Sequence, residues 1–133
     1  MIQLSELIGH DTLDVTTAGS GGKVTGIGLA ADRIVSVGIG GDSVDAATIR
    51  GFSGDVVTYE PVLDSTPQTQ PTDPRGALVL DLHGDRLGTL EDLMITDDGV
   101  VDTILLEGGH ALRGARLRVI GSYAAIVDVE AVS

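Results

Sequence analysis

The chain is 133 residues long, 42% apolar, free of cysteine and acidic, with a formal net charge of −12 and a pI near 4.2. That size bounds one compact domain or two very small ones packed together, and the apolar share argues against disorder. Such a negative field disfavours nucleic acid and anionic membrane surfaces as partners, and the absence of thiols removes disulfides and cysteine chemistry.

Met1-Ile2-Gln3-Leu4-Ser5-Glu6 carries neither the basic nor the apolar segment of a secretory signal, and no apolar run reaches the roughly 20 residues of a membrane span. A cytoplasmic location with no membrane insertion is the expectation. Ser5-Glu6-Leu7-Ile8 predicts one helical turn stopped by Gly9. A strand over 11–16 follows, then a flexible turn at Ala18-Gly19-Ser20-Gly21-Gly22. Strands over 23–29 and 34–39 meet at Ala31-Asp32, and two further short strands cover 44–49 and 56–62.

All four prolines lie between Pro61 and Pro74. Proline removes a ladder donor, so this stretch reads as an extended, solvated connector. Beyond it, strands over 77–82 and 86–95 turn at His83-Gly84-Asp85. The next pair turns at Asp97-Asp98-Gly99, the strand over 100–106 ends at Gly108-Gly109, and 115–120 and 124–129 complete the set.

The two halves echo one another. Asp32-Arg33-Ile34-Val35-Ser36-Val37-Gly38-Ile39 leads into Gly40-Gly41, as Asp98-Gly99-Val100-Val101-Asp102-Thr103-Ile104-Leu105-Leu106-Glu107 leads into Gly108-Gly109. Ile49 to Glu60 aligns without a gap on Val119 to Glu130, with Gly51/Gly121, Val57/Val127 and Glu60/Glu130 identical. A duplicated β unit sets the architecture. The predicted division is a first repeat over 1–61, a linker over 62–75 and a second repeat over 76–133. Cores of Val, Ile, Leu and Ala, with only Phe52, Tyr59 and Tyr123 aromatic, suit thin barrels. Five short strands per repeat suit a small antiparallel barrel.

Leu4-Ser5-Glu6-Leu7-Ile8-Gly9 resembles the opening "L-I-G" segment of the PRC-barrel domains. Leu82-His83-Gly84-Asp85-Arg86-Leu87-Gly88-Thr89-Leu90-Glu91-Asp92-Leu93 is similar to that family's "D-G-x-x-G-x-V-x-D-L" hairpin, which continues through 95–101. The resemblance spans both halves, is better in the second, and rests on structural glycines and alternating aliphatics. Its members include the H subunit of the photosynthetic reaction centre and a ribosome-maturation factor. It implies an all-β fold of two small antiparallel PRC-barrel-like units in tandem, related by a pseudo-twofold. It also implies an adaptor that docks proteins, and it transfers no catalytic residue. Small cores and unpaired edges add the expectation of a homodimer, with strand exchange between copies.

Four clusters invite a chemical reading. Residues 18–23 resemble a phosphate-binding loop, but Thr17 stands where the first glycine belongs and Val24 follows Lys23. His83 and Asp81 share a strand face at i, i+2, which makes them the best metal-binding pair among the turn histidines His10, His83 and His110. A small-ligand or metal-binding barrel is therefore the alternative to an adaptor. Asp97-Asp98-Gly99 with Asp102 lacks the alternating acidic ligands of a calcium loop. Arg113, Arg116 and Arg118 place three of eight basic residues within six positions. With Arg116 and Arg118 on one strand face and Leu117 inward, they form the candidate surface for an acidic partner, the alternative being pairing with nearby carboxylates. No catalytic, cofactor or metal residue is assigned, and no enzyme is expected.

Overall fold

A computed structural model describes residues 1–52, 56–60, 71–121 and 123–128. It builds them into two sheets. β1 (Ile2–Gln3) and a single helical turn, α1 (Leu4–Leu7), lead in. The first sheet uses β2 (Asp11–Asp14), β3 (Gly19–Ala30), β4 (Arg33–Ile39), β5 (Asp42–Asp45), β6 (Ile49–Gly51) and β7 (Val57–Tyr59), in the order β5-β4-β3-β2-β7-β6. The second uses β8 (Leu78–Leu80), β9 (Arg86–Ile95), β10 (Val101–Leu106), β11 (Ala111–Arg113), β12 (Leu117–Ile120) and β13 (Ala124–Val127), in the order β11-β10-β9-β8-β13-β12. The two orders are the same. The expected all-β fold of two repeated units is present.

Three details depart from the expectation. Each sheet has six strands of its own rather than five, because a 3-10 turn (Ala46–Thr48, and Gly114–Arg116 in the second unit) breaks one predicted strand and β11 was not foreseen. The units are not purely antiparallel: β2 pairs with β7, and β8 with β13, in parallel. Hairpin spacing reports only neighbours in sequence, and these pairs join the first and last strands of a repeat. Among the described residues the sheets are also open, ending at β5 and β6 in one and at β11 and β12 in the other, so neither is a closed barrel. Residues 61–70 of the connector, and the predicted strand ends at 61–62 and 129, lie outside the described residues.

Equivalent core positions follow from the strand registers. Val24 pairs with Ile39 as Leu90 pairs with Leu106, Ile27 with Val37 as Leu93 with Ile104, and Leu29 with Ile34 as Ile95 with Val101. All twelve are buried. The last two strands correct the sequence alignment: Ile49 faces Tyr59 and Leu117 faces Val127, so the equivalents are Ile49/Leu117 and Tyr59/Val127. The aligned identities Gly51/Gly121 and Val57/Val127 are thus not equivalent positions. A two-residue slip keeps every side chain on its face of the sheet, which is why aliphatic positions still swapped like for like.

The glycine-rich stretch predicted as a flexible turn is mostly strand. Leu13 pairs with Ser20 and Asp14 with Gly19, so the chain reverses before the glycines, with Ala18 at φ 56°. A Cβ on Gly21 would run into the Tyr59 ring and come within 2.8 Å of the Thr12 hydroxyl. Gly21 lets a buried tyrosine close over the strand.

The two units share one core, which includes Leu4, Leu7, Val24, Val37, Leu90, Leu93 and Ile104. Their seam is reciprocal. Arg33 bridges Val100, the Ile34 amide donates to the Gly99 carbonyl at 2.8 Å, and the Val101 amide donates to the Asp32 carbonyl at 2.7 Å. Because Ile34 and Val101 are equivalent, as are Asp32 and Gly99, these bonds exchange under the expected pseudo-twofold.

The leading segments also cross over. β1 precedes the first sheet yet pairs with β9 of the second, Ile2 opposite Ile95 and Gln3 opposite Met94. Thr72 precedes the second sheet yet bridges Ile27 of β3 through two bonds of 2.8 Å.

Candidate docking surface

The seam and the 3-10 turns shape two equivalent clefts. One, of about 580 Å³, is bounded by the start of β4, the end of β5 with its 3-10 turn, Phe52, and Asp97 and Asp98 from the other unit. Its counterpart, of about 530 Å³, is bounded by the start of β10, Arg113, Ala115 and Asp32. The repeat has diverged in charge at these positions. Asp45, opposite Ser36 on β4, is replaced by Arg113, opposite Thr103 on β10. Asp45 turns its carboxylate onto the Ala47 amide at 2.8 Å, capping the 3-10 turn. An arginine cannot accept that bond, so the second 3-10 turn starts without a side-chain cap and the Arg113 side chain is exposed.

The predicted arginine cluster is divided among three elements. Arg113 ends β11, Arg116 ends the 3-10 turn and is half-buried, and Arg118 lies exposed on β12. Arg116 was expected on a strand beside Arg118 and instead closes the 3-10 turn that precedes it. Leu117 does point inward and is 2% exposed. Val119, next to Arg118, is among the exposed large apolar residues, with Tyr123 of the β12–β13 connection. β12 is the last strand of its sheet and carries Arg118 and Val119, with Tyr123 just beyond it, while Arg113 ends β11, the last strand at the other end of the sheet order, and the 3-10 turn joins the two. Sequence reading found the arginines. It missed Tyr123 of the connection and Val119, which alternates with Leu117 like a core residue until the bulge between the two turns it outward.

Some cations elsewhere are engaged, whereas Arg33 and Arg86, both exposed, form no ion pair with a described residue. Among the described residues, ion pairs join Lys23 to Asp11 at 3.0 Å, Arg50 to Glu60 at 2.6 Å, Arg75 to Asp73 at 2.7 Å and the Met1 amino group to Asp97 at 3.4 Å. No described residue forms such a pair with Arg113 or Arg118. The Arg75 guanidinium holds the Asp73 carboxyl below its ordinary value, and Asp73 in turn raises Arg75. Asp14 is likewise lowered, by bonds from the Thr16 hydroxyl and amide, and burial pushes the Tyr59 phenol up. These are turn and core groups.

The Asp81 carboxylate accepts the His83 and Asp85 amides, each at 2.9 Å, and is occupied in closing the β8–β9 turn. Asp14 does the same for Thr16 in the equivalent turn of the first unit. The pair thus has a structural use, and the His83 side chain is exposed beside it. Among the described residues, no three His, Asp or Glu side chains gather to hold a metal ion. Ser20 and Lys23 of the loop-like segment lie on β3 with no helix after them.

No protein-family model matches the chain, and no curated protein matches it in sequence. Among the described residues, no helix is long and apolar enough to cross a membrane.

Proposed function

We propose that this chain is a non-enzymatic docking module of the PRC-barrel kind, a cytoplasmic adaptor that self-associates and holds an acidic protein segment along the stretch from Arg113 through β12. The carrying observation is the pair Arg113 and Arg118, exposed and without an ion-pair partner among the described residues, in a chain of net charge −12. Unneutralised arginine beside exposed Val119 and Tyr123 supplies the recurrent chemistry of a protein interface, a charge that fixes register and apolar surface that gains by burial. Among the described residues no strand pairs with the outer side of β12, which leaves backbone donors and acceptors for an extended partner strand.

The test is fluorescence anisotropy with a labelled peptide of alternating Asp, Glu and Leu. Binding should weaken as salt rises, and R113S/R118S should lower affinity at least tenfold, about 1.4 kcal/mol, with circular dichroism unchanged. Equal affinity for both proteins, or no binding by either, would overturn the reading.

A further inference from the structure

The N-terminal segment 1–8 is an arm that touches the wrong half. Ile2, Leu4 and Leu7 are buried, β1 pairs with β9, and α1 packs on that strand. Ser5 secures it: its amide donates to Oδ1 of Asp92 at 3.0 Å and its hydroxyl to Oδ2 at 2.5 Å. The arm joins the first sheet through Ile8, Gly9 and His10, with Gly9 at φ 90° and its amide bonded to the Val24 carbonyl at 2.7 Å. Thr72 repeats the relationship in reverse, docking the lead-in of the second unit on β3.

We propose that the arm of one chain also seats on β9 of a second copy, so that two copies exchange arms and close into a twofold dimer. The reason is that the strand receiving the arm, β9, belongs to the other unit, while the unit the arm feeds meets it at the hinge and in the shared core. The contacts described for the arm, with β9, with Asp97 of its following turn and with the shared core, are all presented identically by another copy. Exchange therefore substitutes like contacts for like, and only the hinge at Gly9 must redirect the chain. Concentration sets the balance between the closed chain and the exchanged pair. The inference rests on the self-association part of the proposed function, and names the surface that makes it.

The chain has no cysteine, which permits a clean test. Gln3 and Met94 are opposed across the arm and are both half-buried rather than core. Gln3→Cys in unlabelled protein and Met94→Cys in nitrogen-15-labelled protein are unfolded together, refolded at high concentration and oxidised. Mass spectrometry of the peptides should then show a 3–94 disulfide joining labelled to unlabelled chains. Its yield should be at least tenfold above that with Gly41→Cys, an exposed control, replacing Met94→Cys. The double variant Q3C/M94C, closing within one chain when dilute, verifies that the native arm contact survives the substitutions. Closure of the double variant together with interchain yield no higher than the control would overturn the exchange. A dimer seen by native mass spectrometry in that case would leave self-association standing through another surface.

Discussion

At Gly114, one hydrogen atom decides how closely two elements approach. A Cβ there would press into the backbone carbonyl of Val101, whereas the equivalent residue of the first unit is Ala46. The second 3-10 turn thus sits tighter on its sheet than the first. Gly114→Ala should destabilise the fold by about 2 kcal/mol, the scale of overpacking against groups that cannot move. Gly41→Ala, where nothing lies within 4 Å, should change it by less than about 0.5 kcal/mol. Urea unfolding followed by circular dichroism reads both. Similar losses at the two positions would contradict the close approach.

Among the elements, the arm shows how little secondary structure is needed when tertiary contacts hold it. A four-residue helix has no stability of its own. Burial of Leu4 and Leu7 stabilises it by about 1.5–3 kcal/mol per side chain. Asp92, 8% exposed, supplies the direction, accepting the Ser5 amide and hydroxyl together with the Leu93 amide. Asp92→Ala strands those donors and should cost about 2 kcal/mol or more. The loss should be concentrated in the arm, with amide exchange at Ile2 and Gln3 accelerated before that of β3 or β10. Uniform acceleration across both sheets would instead mean that the carboxylate supports the whole fold. The helical turn and its stop at Gly9 were legible from the sequence, but the strand that receives them was not, because nothing local to residues 1–8 refers to β9.

For the whole molecule, the decisive fact is one core shared by two units of marginal size. The reciprocal seam and the crossed lead-in segments make each unit part of the other's shelter, so the chain should unfold in one transition. Leu93→Ala, in the second unit, should remove about 2–4 kcal/mol and shift the signal of Tyr59, buried in the first, by the same amount. A Tyr123→Phe background leaves Tyr59 as the only tyrosine reporter. A Tyr59 transition unmoved by Leu93→Ala would show that the units unfold separately.

The sequence alone determined the strand-rich character, the duplication and most turn positions. Each follows from short-range chemistry: alternating aliphatics for a half-buried strand, Asp-Gly and Gly-Gly where the backbone must reverse. It also singled out Arg113, Arg116 and Arg118, since a cation cluster in an acidic chain is visible without coordinates. Only the tertiary structure decided the parallel pairs β2·β7 and β8·β13, the open sheet edges, the two-residue correction to the repeat alignment and the crossing of the lead-in segments. Strand periodicity states which face a side chain takes and is blind to which strand lies beside it, so partners distant in sequence are chosen by the packing of the shared core.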